Sequence, residues 1–483
     1  MPRSPAPATR TIPEQDLPWE KRSRIERDVI ALAIAWSLEE PTRVGDIAVV
    51  HRESILGRGP EAEEDTSPRL TFVRQRPGHN EVRAPIGGSR ISRQQLKVRP
   101  VEDGALEVVS IGRIPLVVRG AEVKRCVVRP GDTITLKNAL VLFVTTRPPR
   151  LPSSNGTLST SFEFGKADAF GMVGESPATW RLRESLAFAA VAPQHVLVQG
   201  PSGSGKELAA RAIHGLSARA SKPIVARNAA TFPEGLVDAE LFGNARNYPN
   251  TGSAERAGLI GEADGSVLFL DEIGELPPTM QAHLLRVLDA GGEYQRLGES
   301  KGRRSDFRLI AATNRELDAL KHDFAARLTI RVTTPELGDR REDIPLLVRA
   351  LLFRRAREVA DLQTRFFEPD ANGQLQPRLE PALIEGLVLH DYTHHLRELE
   401  RLVWLAVSTS RDAYLARTPE VEAQLRIRAP EEGEPSDSAV RAALSECEGN
   451  VTNAAKRLGL KNRFALYRLM KRYAIDGGES PEE

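Results

Sequence analysis

Gly200-Pro201-Ser202-Gly203-Ser204-Gly205-Lys206 has the spacing GxxxxGK. Glycines in these places let backbone N–H groups converge on phosphate oxygens, and the terminal lysine reaches the β- and γ-phosphates of a nucleotide. The pattern gains meaning only between a strand and a helix. Here the apolar run Val196–Gln199 precedes it and a helical stretch, 206–216, follows, so a helix N-terminus adds favourable partial charge. Glu207 stands where the pattern asks for a Mg2+-binding Ser or Thr. About 65 residues on, the apolar run 267–270 ends in Asp271-Glu272. Asp271 suits a Mg2+ ion and Glu272 suits activation of an attacking water. A third run, 308–312, ends in Thr313-Asn314. The neutral Asn314 amide can read a γ-phosphate or orient water without competing for protons. ATP and Mg2+ are therefore the expected ligands.

The elements that must position these residues follow from patterning. Apolar runs at 195–199, 223–227, 267–270 and 307–311 alternate with helical stretches at 206–216 and 279–288, which predicts a parallel α/β sheet over 169–345. A small helical lid is expected over 346–415, with 380–410 helical. Upstream, over 27–147, the pattern changes to short apolar runs split by Gly, Pro and charged turns, at 47–50, 70–73, 106–111, 116–118 and 140–144. Closely spaced short strands of this kind predict an all-β sandwich. Residues 1–26 read as a flexible arm, 148–168 and 416–436 as linkers, and 476–483 as a tail. The chain is thus multidomain: all-β, then α/β, then an all-α end at 437–475.

At that end, residues 450–473 hold seven Lys/Arg and no acid, inside a chain whose formal net charge is +1. A local basic cluster in a near-neutral chain suits a small nucleic-acid-binding module. Residues 451–460 read as a short helix and a tight turn at Gly459, where Ala455 leaves room for a second helix to cross. The next helix, 462–473, sets Leu466, Leu469, Met470 and Tyr473 in one apolar stripe. Arg463, Tyr467 and Lys471 share another face, with Arg468 beside it, which presents cations and hydroxyls to a major groove. Asn462, Arg463 and Tyr467 are candidates for base contacts; Arg468, Lys471 and Arg472 are candidates for phosphate.

Composition sets bounds. Apolar residues make up 40% and aromatics 5%, so cores must be mostly aliphatic. No run reaches the roughly 18 apolar residues of a membrane span, and Met1 to Arg10 lacks the apolar core of a secretory signal. Cys126 and Cys447 read as two reduced thiols, which fits the cytoplasm. The nine histidines show no metal-ligand spacing.

The central segment resembles the AAA+ domain of sigma-54-dependent transcription activators, the bacterial enhancer-binding proteins. The matching stretches are 173–176, 200–207, Glu240-Leu241-Phe242-Gly243, 265–275, 311–314, 340–345 and 396–400. The resemblance makes Glu207 usual at its position. It implies that Asn314 is sensor I, that Arg397 is sensor II in the lid, and that Lys321 and Arg327 take the places of two arginine fingers acting on a neighbouring subunit. Only Arg327 keeps the guanidinium. A finger contributes roughly 10³–10⁵ in rate and lysine lacks its planar fork, so slower hydrolysis is expected, in a ring, as a hexamer. After Gly243 the family carries a GAFTGA loop that touches the sigma factor; this chain reads Asn247-Tyr248-Pro249-Asn250-Thr251-Gly252.

The basic end resembles the Fis-type helix-turn-helix, implying double-stranded DNA as partner. The β-rich start resembles a forkhead-associated (FHA) domain through Leu56-Gly57-Arg58-Gly59 and Ile91-Ser92-Arg93. That likeness implies phosphothreonine binding by Arg58 and Ser92, with Arg93 beside them. Gln95 replaces the family's His, and Ile114 its peptide-gripping Asn. A phosphothreonine reader and a plain protein-interaction sandwich both remain open. Three readings of the whole are likewise open: an ATPase that remodels sigma-54 polymerase, a nucleotide-gated DNA-binding regulator that does not, and an FHA signalling scaffold.

Overall fold

A computed structural model describes residues 28–61, 67–153, 161–233, 235–289, 291–315, 319–370, 372–427, 437–447, 449–458, 460, 466–467, 469–470 and 475. The arm 1–26 and the tail 476–483 lie outside them. The chain divides into two compact units, Met1–Arg426 and Ile427–Glu483.

The first unit begins with two antiparallel sheets. The larger orders its strands as His79–Val82, Val73–Arg76, Ile47–Val49, Val29–Ser37, Leu140–Arg147, Thr133–Leu136, Leu116–Val118 and Ala121–Val123. The smaller orders Arg125–Val128, Ala105–Ser110, Leu96–Val101 and Ser54–Leu56. Leu32, Leu56, Leu96, Leu106, Ile134 and Leu142 share the core between them. The run expected at 70–73 is a strand only from Val73, because residues 70–72 lead into it without ladder pairing.

Val29–Ser37 is buried along almost its whole length, and the cause lies outside the sandwich. Its second face, with Ala35, Trp36, Val141 and Phe143, joins one apolar cluster with Leu347, Leu352, Leu383, Leu387 and Leu402 of the helical lid. Trp36 donates its indole N–H to the Leu379 carbonyl at 2.9 Å. The hydroxyls of Thr133 and Thr135 donate to Glu385 Oε1. A strand covered on both faces reads as a continuous apolar run rather than an alternating one.

The central sheet is parallel, in the order Val225–Asn228, Val267–Asp271, Arg308–Thr313, Val196–Gln199, Ile330–Thr333. Helices Pro177–Val191, Lys206–Gly215 and Pro278–Asp289 flank it. The lid carries Ile344–Ala356, Pro381–Leu389 and His395–Thr409, so the helical stretch expected at 380–410 is two helices. Both stretches read as linkers carry packed residues. Phe162 stacks on Trp180, and Pro419–Glu422 is a helix whose Val421 is fully buried in the lid core.

In the second unit, Asp437–Glu446 and Val451–Arg457 are helical, the latter capped by the Asn450 side chain on Asn453 N. Val440, Ala443, Ala454, Ala455, Leu466, Leu469 and Met470 form its core. Among the described residues, no helix is long and apolar enough to cross a membrane, and both cysteines are free.

Candidate nucleotide site

In a parallel sheet every strand delivers its end to the same edge, where ligands of open α/β sheets bind. Gln199, Asp271 and Thr313 end three adjacent strands there. The segment Gly200–Gly205 then turns into the helix that opens at Lys206. Gly203 has φ +79°, and a Cβ there would stand 2.7 Å from the His394 carbonyl oxygen; a Cβ at Gly200, φ +155°, would collide with the Thr334 hydroxyl. Only glycine allows both the turn and the approach of the lid. Ser204 Oγ donates to the Pro201 carbonyl and lies 2.6 Å from Thr334 Oγ1, which pins the loop from beneath.

Lys206 Nζ donates to the Gly200 and Pro201 carbonyls at 3.0 and 3.2 Å. Burial lowers its pKa from the ordinary lysine value, against the opposing pull of Glu272 and Asp271; Arg397 pushes it down further. Glu272, Asp271 and Arg397 therefore all lie within electrostatic reach of Lys206. Asp271 accepts from Glu272 N at 3.0 Å. Glu272 adopts φ +50° and ψ +45°, a left-handed conformation that costs a non-glycine residue about 1 kcal/mol or more. Such strain is typical of a side chain aimed by its surroundings.

The lid closes on the cradle at two points. Leu396 N donates to the Gly203 carbonyl at 3.3 Å, and Arg397 Nη1 donates to Ser202 Oγ at 3.0 Å. Glu207 is exposed and pairs with Arg211 along its helix. Asn314 is exposed just past the strand end. Lys321 and Arg327 are exposed at the two ends of helix His322–Arg327, where Arg327 pairs with Asp289. Among the described contacts neither reaches this chain's own Lys206 or Asp271.

The cradle fits a triphosphate: glycines where side chains would obstruct, a helix N-terminus, and one buried cation. Among the described residues no group of three or more His, Cys, Asp or Glu could hold a metal. A lone Asp271 nevertheless suits Mg2+, which keeps several waters and takes substrate phosphates as ligands.

Two contributors carried no sequence signal of their own. Thr334 lies just beyond the strand Ile330–Thr333. Glu398 accepts from Thr393 N and His394 N at 2.7 and 3.0 Å, fixing the turn whose carbonyl meets Gly203. Its place inside 396–400 was the only hint.

The segment after Gly243 is a closed turn. Asn244 donates to the Ala245, Tyr248 and Ala254 carbonyls, and Gly252 N donates to Asn247 Oδ1 at 3.0 Å. In the sandwich, Arg58 N donates to the Ser92 carbonyl, while Ser92 Oγ accepts from Arg113 N. Gln95 is fully buried; it accepts from Ser92 N and donates to the Ile114 carbonyl, so it ties the two loops together. Arg93 is exposed. In the second unit Tyr467 is exposed; Asn462, Arg463, Arg468, Lys471 and Arg472 lie outside the described residues.

Fold and cradle together define a P-loop ATPase of the AAA+ class. Residues 172–337 match the sigma-54 interaction domain family. The transcriptional regulatory protein ZraR of Escherichia coli K12 is 37% identical over 321 residues, 63% of this chain and 69% of that protein. The formate hydrogenlyase transcriptional activator of Salmonella typhimurium SL1344 is 36% identical over 331 residues, 65% of this chain and 45% of that one. Among solved structures, NtrX from Brucella abortus in complex with ADP shares 29% identity at a TM-score of 0.45, covering 64% of this chain and 70% of that one. The chain belongs to the family of sigma-54-dependent transcriptional regulators.

Proposed function

We propose that this chain hydrolyses ATP between Lys206 and Asp271 and uses the turnover to regulate transcription from DNA bound by its C-terminal unit. The convergence of Lys206, Asp271, Glu272 and Arg397 on one sheet edge carries the reading. Backbone amides of Gly200–Gly205 and the Lys206 ammonium hold the phosphate tail. Asp271 would hold Mg2+, which neutralises developing charge on the transferred phosphoryl group. Glu272 takes the proton of the attacking water, and Asn314 orients that water or reads the γ-phosphate. Arg397 reports phosphate occupancy to the lid. Arg327, with Lys321 beside it, completes the pocket of a neighbouring subunit in a hexameric ring. Asn462, Arg463 and Tyr467 contact bases while Arg468, Lys471 and Arg472 meet phosphates. Arg58, Ser92 and Arg93 offer cations and a hydroxyl to a phosphothreonine partner.

The closed turn at 247–252 favours a second reading, in which the ATPase gates DNA binding without remodelling sigma-54 polymerase. One assay separates them: open-complex formation by sigma-54 polymerase with purified protein and ATP. Activation abolished by Lys206→Ala supports remodelling. ATP turnover without open complexes supports the second reading.

A further inference from the structure

We propose that Arg76 and Arg147, both contributed by the N-terminal sandwich, are positioning residues of the nucleotide cleft, acting through the strap 172–176. The inference rests on the reading of Gly200–Lys206 as the phosphate cradle. Its core is Glu175, which is 2% exposed. Arg76 Nη2 stands 2.8 Å from Glu175 Oε1, and Arg147 Nη2 donates to the Glu175 carbonyl at 2.8 Å. Gly165 N and Trp180 Nε1 supply the remaining donors to the carboxylate at 2.9 and 3.1 Å. Glu175 N donates in turn to Asp343 Oδ1 at 2.7 Å.

The strap is fastened to both walls of the cleft. On one side Met172 packs with Ala209, Ala210 and Ile213 of the helix opened by Lys206. On the other, Asp343 ends the turn Leu337–Asp343, whose Leu337 N donates to His395 Nδ1 at the start of the lid helix. A layered stack holds Arg76 in place: its guanidinium carbon lies 4.5 Å from the Phe162 ring centroid and 5.7 Å from that of Trp180. Arg147 is 2% exposed; besides Glu175 it donates to Gln75 Oε1 at 2.9 Å and faces Glu342 at 3.3 Å.

A buried carboxylate that loses its cation is left charged and undercompensated. Its segment then shifts to regain water or partners, and a cleft displaced by a fraction of an ångström loses affinity. The sandwich thereby sets how well the cleft grips its ligand, which gives a signal received there a short physical route to the ATPase.

The test titrates full-length protein with a fluorescent ADP analogue and Mg2+, and follows ATP turnover. Arg76→Met is expected to weaken ADP and raise KM for ATP by about tenfold while kcat changes far less. Arg76→Lys, which restores the charge without the planar fork, should recover part of the loss. A purely architectural role would lower the melting temperature and leave KM of the folded protein alone. Arg76→Met within about twofold of wild type, with Lys206→Ala devoid of binding, overturns the proposal and leaves the cradle standing. Wild-type binding by Lys206→Ala overturns the cradle reading and this proposal with it. Should Arg76→Met not fold, Glu175→Gln keeps the side chain's size and one accepting oxygen but sets an NH2 against donors and removes the charge; an unchanged KM there overturns the proposal equally.

Discussion

At Glu398 two effects oppose each other. Burial disfavours its charge, yet the amides of His394 and Thr393, with His390 Nε2 at 3.2 Å, hold its pKa at about 2. The turn that it fixes is where the lid touches Gly203. Substitution of that glycine should therefore separate lid from cradle. Gly203→Ala is expected to abolish ATP turnover and cost about 1–2 kcal/mol, from a disfavoured φ and a forced shift of the His394 carbonyl; thermal melting and a phosphate-release assay check both. Acid should act through buried rings. Burial lowers the pKa of His195, to about 4, and lowers those of His390 and His395. The unfolded chain takes up these protons below about 6.5 and the folded chain resists them, so stability falls as pH drops through that point, by up to about 1.4 kcal/mol per pH unit and group. Glu398 works in a lower window, its contribution being lost only as pH falls from about 4.5 towards 2. The melting temperature at pH 5.5 should lie below that at pH 7.5; equal values would show that the rings protonate without cost.

Among elements, the strand Val29–Ser37 does double duty. One face fills the sandwich core, and the other puts Trp36 against the lid, where its indole N–H meets Leu379. Trp36→Ala is expected to cost about 3–5 kcal/mol, and to split one denaturant transition of the first unit into two as sandwich and lid lose their shared core. Intrinsic fluorescence and circular dichroism that stay coincident through urea would contradict this. The segment 161–168 also serves as a structural element. Phe162 and Gly165 join the sandwich to the strap through Arg76 and Glu175, and both arginine and aromatic are needed for that layer.

For the whole molecule, the proposed reading turns on the helix His322–Arg327, which buries Phe324 and Ala325 and leaves Arg327 exposed at its end. Arg327 faces solvent beside Asp289 rather than its own cradle, and the proposed division, in which one chain supplies the phosphate grip and another the finger, has a direct test. Specific ATPase activity should rise steeply with protein concentration. Mixing Arg327→Ala with Lys206→Ala should restore turnover that neither has alone, because each subunit lends what the other lacks. Activity proportional to concentration, or no rescue on mixing, would mean that each chain works by itself.

The sequence by itself determined the cradle, the acids at 271–272 and the parallel alternation that carries them. Phosphate chemistry demands fixed residue types within short contiguous segments, and a strand or helix announces itself over a few residues. It did not show the strand Val29–Ser37 as a strand, since a nearly all-apolar nine-residue run with three alanines fits a buried helix as well as a strand. Nor did it show that the sandwich and lid share a core. Trp36 and Leu379 are 343 residues apart, and Arg76 and Glu175 are 99. Tertiary structure alone decided those pairings, because a buried charge or indole N–H is satisfied by whatever the fold brings within about 3 Å, and nothing local to either residue specifies which partner that is.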